Sequence, residues 1–223
     1  MTHKLIYMLK SKNTVFCLSM ILTVLSSFTI FAQKKSSPNW IYLDHLGQEI
    51  DKSNFEKLLD TNSFLDIDSV NYKKLIARES YGQLSSRAVL EQNLEITLNI
   101  TIDSTSPIII LYYPGIDPCN SSGNVDANDS KSSYNKLQKS VKKQFNTNAL
   151  YICQAESELH KSEKLVPWKK DPQRMIEKLF FKHHYPCGSY VVIDPLGRFI
   201  SYFGEYMTED IIAHANLLME TEN

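Results

Sequence analysis

A continuous apolar run, Ile108 to Tyr113, is the strongest signal along the chain. Six apolar residues without polar alternation predict a strand covered on both faces, because a strand with one wet face alternates. The run stops at Pro114 and Gly115, which interrupt strands. Upstream, Trp40 to Leu43, then Gly47, then Glu49 and Ile50 predict a short hairpin. Ser53 and Glu56 fit a capping box for a helix that buries Phe55, Leu58 and Leu59. The stretch from Leu65 to Asn99 reads two ways. Val89, Leu90, Leu94 and Leu98 recur at helical spacing, whereas Ile96, Ile100 and Ile102 alternate as on a strand.

Downstream the pattern is clearer. Asn120 to Asp129 is rich in Asn, Ser, Asp and Gly, as in a loop. Tyr134, Leu137, Val141 and Phe145 then fall on one helix face, with Lys136, Lys139, Lys142 and Lys143 on the other. Leu150 to Cys153 predicts a second buried strand. Asp171 followed by Pro172 marks a helix start, and Met175, Ile176, Leu179 and Phe180 supply its buried stripe. Tyr190 to Ile193 predicts a strand, Asp194 to Gly197 a turn, and Arg198 to Phe203 the returning partner. Thr208 fits the cap of a last helix that turns Ile211, Ile212, Ala215, Leu218 and Met219 inward. From residue 107 the order is strand, helix, strand, helix, strand, strand, helix, which is an α/β pattern.

The chain opens with Lys4, Lys10 and Lys12 ahead of the apolar run Val15 to Phe31, and Ala32 and Gln33 follow. This predicts a signal peptide over residues 1–33 and an exported protein, periplasmic or extracellular; an uncleaved membrane anchor is the competing reading. Residues 34–106 are then an N-terminal extension packing on the core, and residues 107–223 the main α/β domain. The formal net charge is −1, and removal of the leader takes away three lysines and no acid. A mildly acidic chain without a basic stripe argues against nucleic acid as a partner.

Of four cysteines, Cys17 lies in the leader, so Cys119, Cys153 and Cys187 remain. In an oxidising compartment the default is one pair and one odd thiol. Cys153 ends a buried strand and reads as a core thiol. Cys119 and Cys187 instead sit at strand breaks. Asp117 and Pro118 precede the first, and Pro186 and Gly188 flank the second, as in exposed loops where thiol chemistry usually occurs. Asp117 fits either a turn residue or a proton relay.

The element order after residue 107, with a cysteine after the first strand and a hairpin before the last helix, resembles the thioredoxin fold. Tyr190 to Arg198 is similar to the hairpin of exported thioredoxin-like reductases and peroxiredoxin relatives. The resemblance covers about residues 107 to 220 and implies a thioredoxin-like three-layer α/β/α sandwich with an N-terminal extension. Redox-active members carry Cys-x-x-Cys after the first strand, commonly with Pro before the second sulfur. Pro118 and Cys119 match the last two positions, while Ile116 stands in place of the attacking sulfur. Gly188 stands where the family places a cis-proline, with Pro186 two residues away.

The resemblance also implies that the loop carrying Cys187 lies against the loop carrying Cys119, so that Cys187 supplies the missing sulfur. The expected catalytic residues are therefore Cys119 and Cys187, supported by Asp117, Pro118, Pro186 and Gly188. The implied function is thiol–disulfide redox chemistry on protein thiols or disulfides of the cell envelope, with no cofactor and no resident metal. One alternative is a non-catalytic thioredoxin-like binding module in which the same pair is a structural staple. Another is copper handling, as in copper-delivery relatives, through His183, His184, Cys187 and Cys119.

Overall fold

The computed structural model describes residues 40–115, 127–155, 159, 166–185 and 188–220. The chain divides into Met1–Ile41, of which only residues 40 and 41 are described, and Tyr42–Asn223, which holds everything that follows.

Strands β1 (Ile41–Leu43) and β2 (Glu49–Ile50) form the expected hairpin, around a turn in which the Asp44 carboxylate accepts from the Leu46 and Gln48 N–H groups at 2.9 and 2.8 Å. Helix α1 (Lys52–Asp60) follows, and β3 (Phe64–Asp68) and β4 (Tyr72–Ala77) complete a small sheet in the order β2-β1-β4-β3. The α1 cap is Asp51, which accepts from the Asn54 N–H at 3.0 Å, two residues ahead of the predicted Ser53. A carboxylate there meets an orphan N–H and also complements the positive helix end. Glu56 instead pairs with Lys52 at 3.3 Å. Phe55 is buried and meets Tyr42 edge-on at 5.1 Å.

The ambiguous stretch up to Asn99 contains strands as well as a helix. After β4, β5 (Glu79–Gln83) leads to α2 (Arg87–Leu98). Arg78 makes the corner between β4 and β5: its N–H donates to Ser63 at 3.0 Å and its carbonyl accepts from Phe203 at 2.8 Å. In α2 the row Leu90, Leu94, Leu98 is buried, whereas Val89 and Ile96 face solvent. The i, i+4 spacing therefore decides the element. Ile100 and Ile102 follow the helix and pack partly buried against the same core.

Strand β6 (Ile108–Tyr113) matches its prediction, and all six residues are buried. Helix α3 (Ala127–Phe145), strand β7 (Leu150–Cys153), a two-residue strand β8 (Lys169–Lys170), helix α4 (Met175–Phe180), the hairpin β9 (Ser189–Ile193) and β10 (Arg198–Tyr202), and helix α5 (Thr208–Glu220) follow. The main sheet has the order β5-β10-β9-β6-β7-β8. β7 runs parallel to β6 and β8 parallel to β7, while β9, β10 and β5 alternate antiparallel. The protein is thus a mixed α/β structure.

Two cores follow from the pleat of this sheet. Ile108, Ile110 and Tyr112 pack with Leu90 and Leu94 of α2 and Ile176 and Phe180 of α4. Ile109 and Leu111 pack on the other face with Leu137 and Val141 of α3 and Ile211, Ala215 and Leu218 of α5. The β9–β10 turn is tied down by Asp194, which accepts from the Arg198 N–H at 2.8 Å and pairs with its guanidinium. Thr208 is the first helical residue of α5 rather than its cap; the Asp210 carboxylate reaches back to the Met207 N–H at 2.8 Å.

Asp171 has a larger role than its sequence position indicates. A 3-10 turn, Pro172–Arg174, separates it from α4, with Gln173 and Arg174 at φ of 52° and 57°. That left-handed pair folds the chain back so that the buried Asp171 carboxylate accepts from the Ile176 and Glu177 N–H groups, each at 3.0 Å. Burial pushes its pKa up, against the pull of these backbone donors. Asp171→Ala leaves both N–H groups without an acceptor and should cost about 1–3 kcal/mol. A fall in the urea unfolding midpoint is the expected readout, and an unchanged midpoint would remove this cap from the account.

Candidate functional site at one end of the main sheet

β6 and β9 are neighbours, and their register sets Tyr112 opposite Ser189. β6 runs out at Pro114 and Gly115, the latter at φ +116°, a conformation that favours a residue without Cβ. β9 begins just after Gly188. The chain segments leading to Cys119 and to Cys187 therefore leave adjacent strands at the same end of the sheet. Ile116, Asp117, Pro118, Cys119, Pro186 and Cys187 themselves lie outside the described residues. Gly188 is described: a Cβ there would stand 3.3 Å from the Tyr206 hydroxyl, so its bare backbone lets that ring lie close to the start of β9. Cys153 is buried at the end of β7, opposite Tyr113, and its sulfur donates to the Lys169 carbonyl at 3.6 Å.

At this sheet end, on the α4 face, donors converge on one carboxylate. The Tyr112 ring stacks on Phe181 at 4.9 Å, and its hydroxyl donates to Glu177 Oε2 at 3.3 Å. Gln154 donates to the same oxygen at 3.3 Å. Arg174 forks onto both oxygens at 2.7 and 2.6 Å, a geometry suited to a guanidinium. Arg174 holds the Glu177 carboxyl below the usual carboxylate range, with help from Gln154 and Tyr112. Burial, and then the Glu177 charge, push the Tyr112 phenol up. Glu177 is thus a fixed anion at neutral pH, and Tyr112 a neutral donor.

His183, His184 and Tyr185 follow α4 and border the same place. The His183 ring is tilted against Phe203 at 6.3 Å, and partial burial followed by Lys74 and Lys182 lowers its pKa. Together with Tyr112, Pro114, Glu177, Phe181 and Ser189 these residues line a recess of about 10 Å³, room for about one water. Among the described residues no group of three or more His, Cys, Asp or Glu is placed to hold a metal ion, and no helix is long and apolar enough to cross a membrane.

Across the sheet lies a group that the sequence pattern did not single out. Successive strand residues point to opposite faces, so Tyr190 faces away from the recess that Ser189 borders. The Tyr190 hydroxyl lies 2.8 Å from His214 Nδ1, and His214 Nε2 lies 3.4 Å from Glu79. In the sequence Tyr190 reads as the start of a strand, and Glu79 lies far from His214 along the chain. The available signal was a histidine on the inward row of α5, between Ile211 and Ala215.

The Glu177 cluster carries a pH signature. A carboxyl held below its usual value of 4.5 contributes stability above that value and loses it as the pH falls through the lowered one. Arg174 is largely exposed, so Glu177→Gln should cost only about 1 kcal/mol at pH 7. Paired urea titrations should show the gap between wild type and variant closing as the pH falls below 4.5. A gap that stays constant with pH would mean that the carboxylate charge contributes nothing.

Comparison with protein-family profiles, with characterised protein sequences and with solved structures finds no match to this chain.

Proposed function

We propose that the protein is an exported thioredoxin-like thiol–disulfide redox protein in which Cys119 and Cys187 form the working pair. The observation that carries this reading is the β6–β9 register, since both cysteine-bearing segments leave neighbouring strands at one sheet end. The connectivity supports it as well. A strand, helix, parallel strand, helix and antiparallel hairpin with spatial order β10-β9-β6-β7, closed by a last helix, resembles the thioredoxin arrangement. In this reading β5, α2 and the small sheet are additions to that unit, and residues 1–33 are the leader removed on export.

The chemistry needs no cofactor, because two thiols carry the electrons. The thiolate of one cysteine attacks a substrate disulfide, forming a mixed disulfide and expelling one substrate thiolate. The second cysteine attacks that mixed disulfide, expels the other substrate sulfur and leaves Cys119 and Cys187 joined. Two electrons pass to the substrate, and the two thiol protons end on its sulfurs. Run in reverse, the same exchange oxidises a substrate dithiol. Asp117, two residues before Cys119, is the nearest carboxylate in sequence to take up the thiol proton. The partners are protein thiols or disulfides of the cell envelope.

Cys119→Ser and Cys187→Ser should each abolish turnover on a disulfide substrate, and only the variant that retains the attacking sulfur should accumulate a mixed disulfide. Two variants that trap nothing and merely melt earlier would make the sulfurs a staple and the protein a binding module. A pair potential between about −270 and −180 mV agrees with redox work, and one below about −300 mV with the staple. Ile116→Cys should add reductase activity by restoring the family spacing. For the leader, the N-terminus of exported protein should fall near Gln33 or Lys34; an intact Met1 in that pool would refute cleavage.

A further inference from the structure

Below β9 and β10, on the α5 face, an open cleft of about 470 Å³ is built from aromatic rings and carboxylates. Tyr190 forms its floor, fully buried, stacked on Tyr202 at 5.3 Å and met edge-on by Tyr206 at 5.1 Å. His214 sits between the Tyr190 hydroxyl and Glu79; when Tyr190 donates to Nδ1, Nε2 carries the hydrogen toward that carboxylate. The other Glu79 oxygen accepts from the Tyr81 hydroxyl at 2.6 Å. The rim carries Glu205 and Asp210 in addition, and among the described residues that line the cleft there is no Lys or Arg.

The nearby cations point elsewhere. Lys136 pairs with Glu209, and the Arg78 guanidinium donates to the Phe203 carbonyl. Asp210 accepts the Met207 N–H, but among the described residues no hydrogen bond or ion pair takes up the Glu205 carboxylate. Three carboxylates around tyrosine rings, with no Lys or Arg among the described lining residues, set a negative potential inside a concave site. Ring faces add to that attraction for a cation, because the π-system is negative there. Among the described residues no three acidic or histidine groups converge as a metal site. The exposed Met207 adds an apolar strip along the cleft wall.

We propose that this cleft binds an alkylammonium group. The cation lies among Glu79, Glu205 and Asp210 against the faces of Tyr202 and Tyr206, and the alkyl stem runs along Met207. The inference is independent of the thiol chemistry, since it uses neither Cys119 nor Cys187. A free amine and a lysine side chain offer the same group, and the cleft is wide enough for either.

The test is a calorimetric and NMR titration of the full exported chain with n-butylammonium, Nα-acetyl-lysine methylamide and the neutral Nα-acetyl-norleucine methylamide. At least one cationic probe should bind at least about tenfold more tightly than the neutral one and shift the Tyr202, Tyr206 and His214 resonances. Binding of both probes, or of butylammonium alone, assigns the site to free amines; binding of the lysine compound alone assigns it to lysine side chains. Glu205→Gln, at an exposed position, should weaken binding roughly threefold to fivefold without changing the melting temperature. Tyr206→Leu should weaken it further. Added salt should also weaken it. Equal binding of the neutral probe, no binding by either cation at about 50 mM, or an unchanged affinity in Glu205→Gln would each overturn the proposal.

Discussion

Burial of β6 on both faces is the constraint on which the rest of the structure depends. Its four aliphatic residues are almost wholly removed from water, and each such burial contributes roughly 1.5–3 kcal/mol. A strand of this kind is stable only if both faces of its sheet are covered and both edges are paired. α2 and α4 cover one face, α3 and α5 the other, and β7 and β9 take the two edges. The parallel β6–β7 pairing then requires a crossover, which α3 provides. The antiparallel β9 and β10 need only the four-residue turn closed by Asp194.

The same constraint places chemistry at one end of the sheet. Pro114 and Gly115 end β6 abruptly, and Gly188 leads into β9 beside it. Backbone groups freed where pairing stops need other partners, and polar side chains gather there. The two faces resolve this differently. On the α4 side Glu177 is saturated by Arg174, Gln154 and Tyr112, leaving room for about one water. On the α5 side His214 links Tyr190 to Glu79, while Glu205 keeps its capacity to meet a ligand. One recess is an internal electrostatic brace, and the other is an open acidic cleft.

The elements around β6 were legible because their signals are local and redundant: unbroken apolar runs for β6, β7 and β9, an i, i+4 stripe in α3 and α5, and turn chemistry at Asp194 to Gly197. Caps were less legible. Asp51 and Ser53 are both good caps two residues apart, and only the backbone decides between them. β8 was missed because two lysines joined by an edge pairing carry no hydrophobic pattern. Leu65 to Asn99 was ambiguous because Arg78 bends one extended run from the small sheet into the main one, a tertiary event. The Tyr190, His214 and Glu79 chain was illegible for the same reason, since it joins three elements through two side-chain contacts. Cys119 and Cys187 stood out in the sequence through the strand breaks beside them; both lie outside the described residues, and what the fold adds is that those breaks fall at one end of the sheet.

The proposed redox chemistry requires those two sulfurs to act as a pair. Non-reducing peptide mapping of the oxidised protein tests that pairing. The expected result is a single linked peptide joining the segment of Cys119 to that of Cys187, which collapses to two thiol peptides on mild reduction. A linkage through Cys153, or two alkylatable thiols at Cys119 and Cys187 under oxidising conditions, would contradict it.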